Sequence, residues 1–191
     1  MNHASKEVLA AGLASIRESP KDEGVLNLIV RRPAIDAREV LELGHLDPAT
    51  GLAGDTWRTR GSSRTDDGTS HPDMQLNLMN SRVIALLAGH IERWPLAGDQ
   101  LYVDLDLSAA NLPAWTRLAI GTAVIAVTDQ PHTGCKKFAA RFGLNALTFI
   151  SSPEGRSLNL RGINARVVRP GVVRVGDVVR KIGTTDFNGS G

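Results

Sequence analysis

Short apolar runs, separated by turn residues and recurring about every ten residues, constrain this chain more than any other feature. The clearest covers residues 101–107. There Leu101, Val103, Leu105 and Leu107 alternate with Tyr102, Asp104 and Asp106. Such alternation sends one set to the core side of a strand and the other set to the opposite face. Asp104 and Asp106 therefore read as a solvated strand face rather than an acid–base pair. Residues 25–30, 38–44, 74–79 and 122–128 read as further strands, and residues 146–150 as another, followed by a loop over 151–156. Residues 161–182 are dense in valine and broken at Arg169-Pro170-Gly171 and Gly176-Asp177, the pattern of a meander with tight turns. Helix signals are fewer. Ser5 caps a helix that Pro20 stops, and Asn80 caps a second one over residues 81–88. Strands without a regular βαβ alternation exclude a doubly wound sheet. The expected fold is mainly β, a barrel-like sheet with a few short peripheral helices. The expected organisation is an N-terminal helix in residues 1–20, one domain over 24–182, and a flexible polar tail over 183–191.

Composition narrows the function classes. Of the 191 residues, 42% are hydrophobic but only 4% aromatic, and the net charge is +2. Few aromatic platforms and no concentrated basic stripe argue against a nucleic-acid partner. No apolar run approaches the roughly 20 residues needed to span a bilayer, and no signal-peptide pattern opens the chain. One cysteine makes no internal disulfide, so a reduced cytoplasmic setting is expected.

That cysteine, Cys135, lies in residues 129–143. Pro131 disfavours helix before it. Thr133 is placed to cap a short helix after it, and Gly143 to end that helix. Phe138 and Phe142, four apart, share one face. A thiol in a first helical turn, beside Lys136 and Lys137, is shifted toward thiolate. His132, three residues earlier, makes a Cys–His nucleophilic pair conceivable. There is no Gly-x-Gly-x-x-Gly after a strand, no Walker phosphate loop and no Gly-x-Ser-x-Gly elbow. None of the five histidines is paired at metal-ligand spacing. Residues 58–72 are rich in Arg, Gly, Ser, Thr and Asp without periodicity, and are expected to form a mobile loop closing over a site.

In chain order the sequence carries Gly51-Leu52-Ala53-Gly54-Asp55, the 74–79 strand entering a helix, and Asn111-Leu112. Ile120-Gly121, Pro131 followed by Cys135, Arg161-Gly162-Ile163-Asn164-Ala165-Arg166-Val167, and Gly171 with Gly176-Asp177 complete the series. The series resembles the MOSC domain, a module of molybdenum-cofactor sulfurases and of standalone bacterial proteins. The resemblance covers residues 25–182. It implies a β-barrel-like fold and one reactive cysteine that binds molybdenum cofactor or carries sulfur, in some members for reduction of N-hydroxylated compounds with a redox partner protein.

Carried over by position, Cys135 is the metal ligand or sulfur carrier, with His132 beside it. Asp55, Asn111, Arg161, Arg166 and Lys136 are the expected cofactor-binding residues, with Arg32 as a further phosphate partner. His132 and Gly134 stand where the family often has Arg and Pro. Ala110 stands where it usually has Glu, and no His-Gly-Gly run follows Asp55. A non-catalytic module that binds an anion or cofactor is the alternative these departures motivate. Pyridoxal phosphate enters only through the family's name, and neither Lys136 nor Lys137 has a Schiff-base context.

Overall fold

The computed structural model describes residues 3–184. In chain order these form α1 (Lys6–Arg17), β1 (Glu23–Arg31), β2 (Glu39–Leu41), β3 (Leu43–Asp47), β4 (Gly51–Leu52) and α2 (Trp57–Arg60). Then come β5 (Leu76–Asn80), α3 (Ser81–Ala88), β6 (Leu101–Asp104), β7 (Thr116–Ile120) and β8 (Ala123–Val127). Last are α4 (Lys136–Phe142), α5 (Leu144–Ser151), α6 (Pro153–Ser157), β9 (Ile163–Arg169), β10 (Gly171–Arg174) and β11 (Val178–Thr184).

Seven strands close a barrel in the order β11-β7-β8-β9-β5-β6-β1, and β1 pairs back to β11 with Glu23 opposite Arg180 and Val25 opposite Val178. Closure leaves no free edge among these seven. Neighbours are antiparallel except β5 and β6, which run parallel with α3 crossing between them. A parallel pair needs such a crossover, so one βαβ unit sits in an otherwise antiparallel barrel. β2 extends the sheet beyond β1, and β10, β3 and β4 form a separate small sheet.

Two cores explain the burial pattern. Leu26, Leu78, Leu101, Val103, Leu118, Ile125, Ala165 and Val179 fill the barrel. Leu9, Val30, Met79, Ile84, Tyr102, Phe138, Phe142 and Ile150 pack between the barrel wall and the helices. Tyr102, expected on the outer face of its strand, is fully buried there. Its hydroxyl donates to the Trp94 carbonyl at 2.7 Å. Helices cover that side of the wall, so β5 is buried at every position. Each fully buried Leu, Ile or Phe contributes about 1.5–3 kcal/mol. Asn80 caps α3 as its sequence predicts, accepting from the amides of Arg82 and Val83. Gly162, at φ 105°, passes so close to β5 that a Cβ would lie 2.1 Å from the Leu78 carbonyl oxygen.

Four local expectations are corrected. Residues 146–150 are not a strand but the middle of α5, with Ala146 and Ile150 buried one turn apart. The 151–156 loop contains the start of α6, capped by the Ser152 hydroxyl. Residues 38–44 split into β2 and β3, which join different sheets. The cap of α4 is Cys135 rather than Thr133, and no side chain bonds to its first amides. Asp104, read as a solvated face, is half-exposed and paired with Arg82 at 2.7 Å. Of the expected 183–191 tail, Gly183 and Thr184 belong to β11, and residues 185–191 lie outside the described residues. Among the described residues no helix is long and apolar enough to cross a membrane.

Candidate functional site

Cys135 is held at the start of α4 in an extended conformation, φ −126° and ψ 173°. The helix behind it is anchored by Phe138 and Phe142, both buried, with ring centroids 4.9 Å apart. Apolar anchoring on one side leaves the cysteine itself exposed. It lines a cavity of about 990 Å³. The 32–38 segment after β1 forms one wall, and the turn from Thr56 into α2 forms another. Ala97 and Gly98 contribute a patch of wall, and Lys137 and Arg141 of α4 close the ring.

The charge around this cavity is lopsided. Arg32, Arg38, Arg60, Lys137 and Arg141 line it against one carboxylate, Asp36. Arg32 is neutralised from behind by Asp55, whose side chain is fully buried, at 2.8 Å. Among the described residues Arg38 donates only to backbone carbonyls, those of Pro95 and Ala37. Among the described residues the Arg60 guanidinium has no hydrogen-bond or ion-pair partner, while its backbone amide donates to the Thr56 carbonyl. Desolvation, and after it repulsion from neighbouring guanidinium groups, lowers the pKa of both Arg38 and Arg60 below the usual arginine value. Unneutralised guanidinium groups in a concave site are suited to phosphate or carboxylate.

A buried polar network ties the cavity to the barrel. The Arg32 guanidinium donates to Asp55, to Asn77 Oδ1 at 3.1 Å and to the Gly98 carbonyl at 3.0 Å. Asn77 donates to Asn164 Oδ1 at 2.7 Å, and Asn164 donates to the Gln130 carbonyl, where the cysteine segment leaves β8. Arg161 holds the same corner from the other side. It donates to both oxygens of Asp99 at 3.0 and 2.8 Å, and to the Ala97 carbonyl. Its guanidinium carbon lies 5.0 Å from the centre of the Phe138 ring, within cation–π range. Burial raises the Asp99 pKa above the usual carboxylate range, and Arg161 holds it part of the way down.

His132 faces the barrel side of its segment. Its Nδ1 is 3.5 Å from Asp99 Oδ1, without a hydrogen bond. Desolvation, and after it the charge of Arg161, pushes the imidazole pKa well below its usual value. His132 lines a second cavity of about 570 Å³ with Arg156, Asn159 and Arg161, whereas Cys135 lines the first.

The structure therefore gathers only part of the residues singled out from the sequence. Cys135 lines the cavity; Asp55 stands behind Arg32; Arg161 and His132 lie around Asp99. Lys136 is exposed and absent from the cavity wall, where Lys137 stands instead. Arg166 pairs with Asp73 at 3.1 Å and stacks over Trp115. Asn111 lies near β11, bonded to the carbonyls of Lys21 and Asp106 and to Lys181 Nζ. Neither lines the Cys135 cavity. Arg38, Arg60, Arg141 and Asp99 were not singled out. Their only sequence signal was being charged residues next to turns, which most surface residues share. The 58–72 stretch is irregular apart from the end of α2, and Arg60 is its contribution to the cavity. Among the described residues no group of three or more His, Cys, Asp or Glu side chains is placed to hold a metal ion by itself.

The chain is similar in fold to the YuaD protein of Bacillus subtilis, with a TM-score of 0.61, 17% identity, and coverage of 82% of this chain and 94% of that one. It is also similar to YiiM of Escherichia coli, with a TM-score of 0.55, 18% identity, and coverage of 85% of this chain and 71% of that one. No curated protein matches the chain significantly in sequence. The profile of the MOSC domain matches residues 65–180, a stretch that contains Cys135, His132, Arg161 and Arg166. With more than half of its length matched in this way, the chain belongs to the MOSC domain family.

Proposed function

We propose that this protein takes an anionic ligand with a soft, thiophilic centre into the Cys135 cavity, and that the ligand is molybdenum cofactor or a donor of sulfane sulfur. One observation carries the reading: the chain's single thiol is exposed on a cavity of about 990 Å³ whose wall holds arginines without carboxylate partners. The donor set fits the cofactor. A thiolate is a soft ligand suited to a metal already bound by sulfur, and Arg38 and Arg60 are placed to take a phosphate. When bound, the cofactor supplies two-electron redox chemistry at molybdenum, which reduction of N-hydroxylated compounds requires. This chain's residues bind and orient: Cys135 offers sulfur, Arg32 shapes the wall while Asp55 keeps it in place, and Lys137 and Arg141 line the α4 side.

In sulfur transfer, the Cys135 thiolate attacks the outer sulfur of a donor persulfide. A new S–S bond forms on Cys135, the donor's S–S bond breaks, and the donor leaves as its thiolate. Lys137 and the cavity arginines stabilise the anionic sulfur at either stage.

A non-catalytic anion-binding module is the second reading. It is favoured by the position of His132, which turns to Asp99 and lines the second cavity rather than the one that Cys135 lines. The test is to purify the protein from a host that makes the cofactor, and to measure bound molybdenum, pterin and Cys135 persulfide beside Cys135→Ser. Metal with pterin, or persulfide, in the parent protein alone is the expected result. Absence of all of them, with phosphate binding retained, would replace the lead reading by the module.

A further inference from the structure

We infer that Lys137 and Arg141 form an anion-binding subsite on the α4 side of the Cys135 cavity, that Asp36 occupies it in the free protein, and that a small dianion such as a phosphate monoester displaces Asp36 on binding. The inference rests on the Cys135 cavity being the ligand site and assigns one side of it.

The geometry is specific. Asp36 Oδ1 accepts from Lys137 Nζ at 3.2 Å and from Arg141 Nη2 at 3.3 Å. It thus bridges the 32–38 wall to α4, on which Cys135 stands. The same carboxylate oxygen takes both cations, as one oxygen of a bound phosphate would. The Lys137 hydrogen bond, and after it the Lys137 charge, holds the Asp36 carboxyl below its usual pKa, so it is the anion that sits there.

The bridge is built to give way. The Asp36 side chain is 60% exposed and that of Lys137 66%, and ion pairs this open are weak. Asp36 is in the left-handed region at φ 58°, a conformation that disfavours a side chain with a Cβ. Ile35 beside it is 88% exposed, and Pro33 and Ala34 are exposed too, so little packing holds the turn. Arg141 is better anchored than the carboxylate. Arg141 also donates to the Leu96 carbonyl at 2.7 Å, and its side chain is only 24% exposed. A leaving Asp36 therefore abandons a preformed donor in Arg141, with Lys137 one helical turn away. Arg38 stands on the same wall and is close enough to Arg141 for their charges to repel. The departure of Asp36 raises the need for an external anion rather than lowering it. A dianion is favoured over a monoanion because two further guanidinium groups, Arg38 and Arg60, line the same cavity.

Cys135 is the chain's single cysteine, which makes it a reporter independent of any cofactor. Alkylation is followed by mass spectrometry with iodoacetate, an anion, and iodoacetamide, its neutral counterpart. Asp36→Asn is expected to raise the iodoacetate-to-iodoacetamide rate ratio about 1.5- to fivefold, the range for removing one exposed competing charge. Inorganic phosphate is expected to protect Cys135 from iodoacetate at a correspondingly lower concentration in this variant than in the parent. Lys137→Gln and Arg141→Lys are expected to weaken that protection. An unchanged ratio and unchanged protection in Asp36→Asn, with its thermal melt matching the parent, would overturn the proposal. Loss of phosphate protection in the parent itself would do the same. Failure to find molybdenum, pterin or persulfide leaves these rates where they are, so the two readings fail separately.

Discussion

Replacing Asp55 by alanine isolates the ion pair that holds the back of the cavity. The carboxylate accepts five hydrogen bonds: from the amide, Nε and Nη2 of Arg32 at 2.8–2.9 Å, from the Trp57 amide at 2.9 Å, and from Gln100 Nε2 at 3.4 Å. Its side chain has no exposed surface and that of Arg32 has 6%. Alanine leaves the guanidinium buried with only the Asn77 and Gly98 oxygens as acceptors. An uncompensated buried charge of this kind costs about 3–5 kcal/mol, a large part of the roughly 5–15 kcal/mol that holds a domain folded. At about 2–4 °C per kcal/mol for a chain of this size, Tm falls by roughly 6–20 °C. Urea denaturation followed by circular dichroism measures the loss. Arg32→Met in the Asp55→Ala background removes the stranded charge and is expected to recover at least about 2 kcal/mol, as the coupling in a double-mutant cycle. A loss below about 1 kcal/mol for Asp55→Ala, or no recovery in the double variant, would refute the claim that Asp55 acts through Arg32.

Two further predictions concern the barrel side of the site. His132 has a folded-state pKa below its unfolded value, because it is desolvated and faces Arg161, Arg32 and Arg64. The unfolded chain therefore binds the proton first, and the stability tied to neutral His132 is lost as pH falls below about 6.5. His132→Gln removes that part of the slope in pH-dependent denaturation, and an imidazole resonance titrating near 6.5 in the folded protein would contradict the burial. Gly162→Ala places a methyl group 2.1 Å from the Leu78 carbonyl oxygen, at φ 105°. A loss of at least about 2 kcal/mol is expected, and a melting temperature equal to the parent's would show that β5 and β9 yield more than their pairing implies.

Strand patterning made the barrel legible, since alternation such as Leu101, Val103 and Leu105 is local and the turn residues between strands are distinctive. Residues 146–150 read as a strand in sequence because a short apolar run fits a strand and a buried helix alike. The buried pair Ala146 and Ile150, four apart, is the helical period that decides it. Cys135 stood out by being single. Its surroundings did not, because Arg38, Arg60 and Arg141 come from separate segments that meet only through the closed barrel and the packing of α4. Asp55 illustrates the limit: its Gly-Asp motif is visible in sequence, but its burial behind Arg32, rather than exposure to a ligand, depends on contacts 23 residues away.

The pairing of β1 with β11 has a consequence for biosynthesis. Residues 23–25 wait for partners at positions 178–180, which leave the ribosome last among the barrel strands. At about 5–20 residues per second, the nascent sheet keeps β1 and β7 unzipped for many seconds, each offering unpaired amides and carbonyls to neighbouring chains. Completion of the barrel thus waits for the last of its strands, and overproduction at low temperature or with holding chaperones should raise the yield of soluble protein more than it does for folds whose strands pair as they emerge.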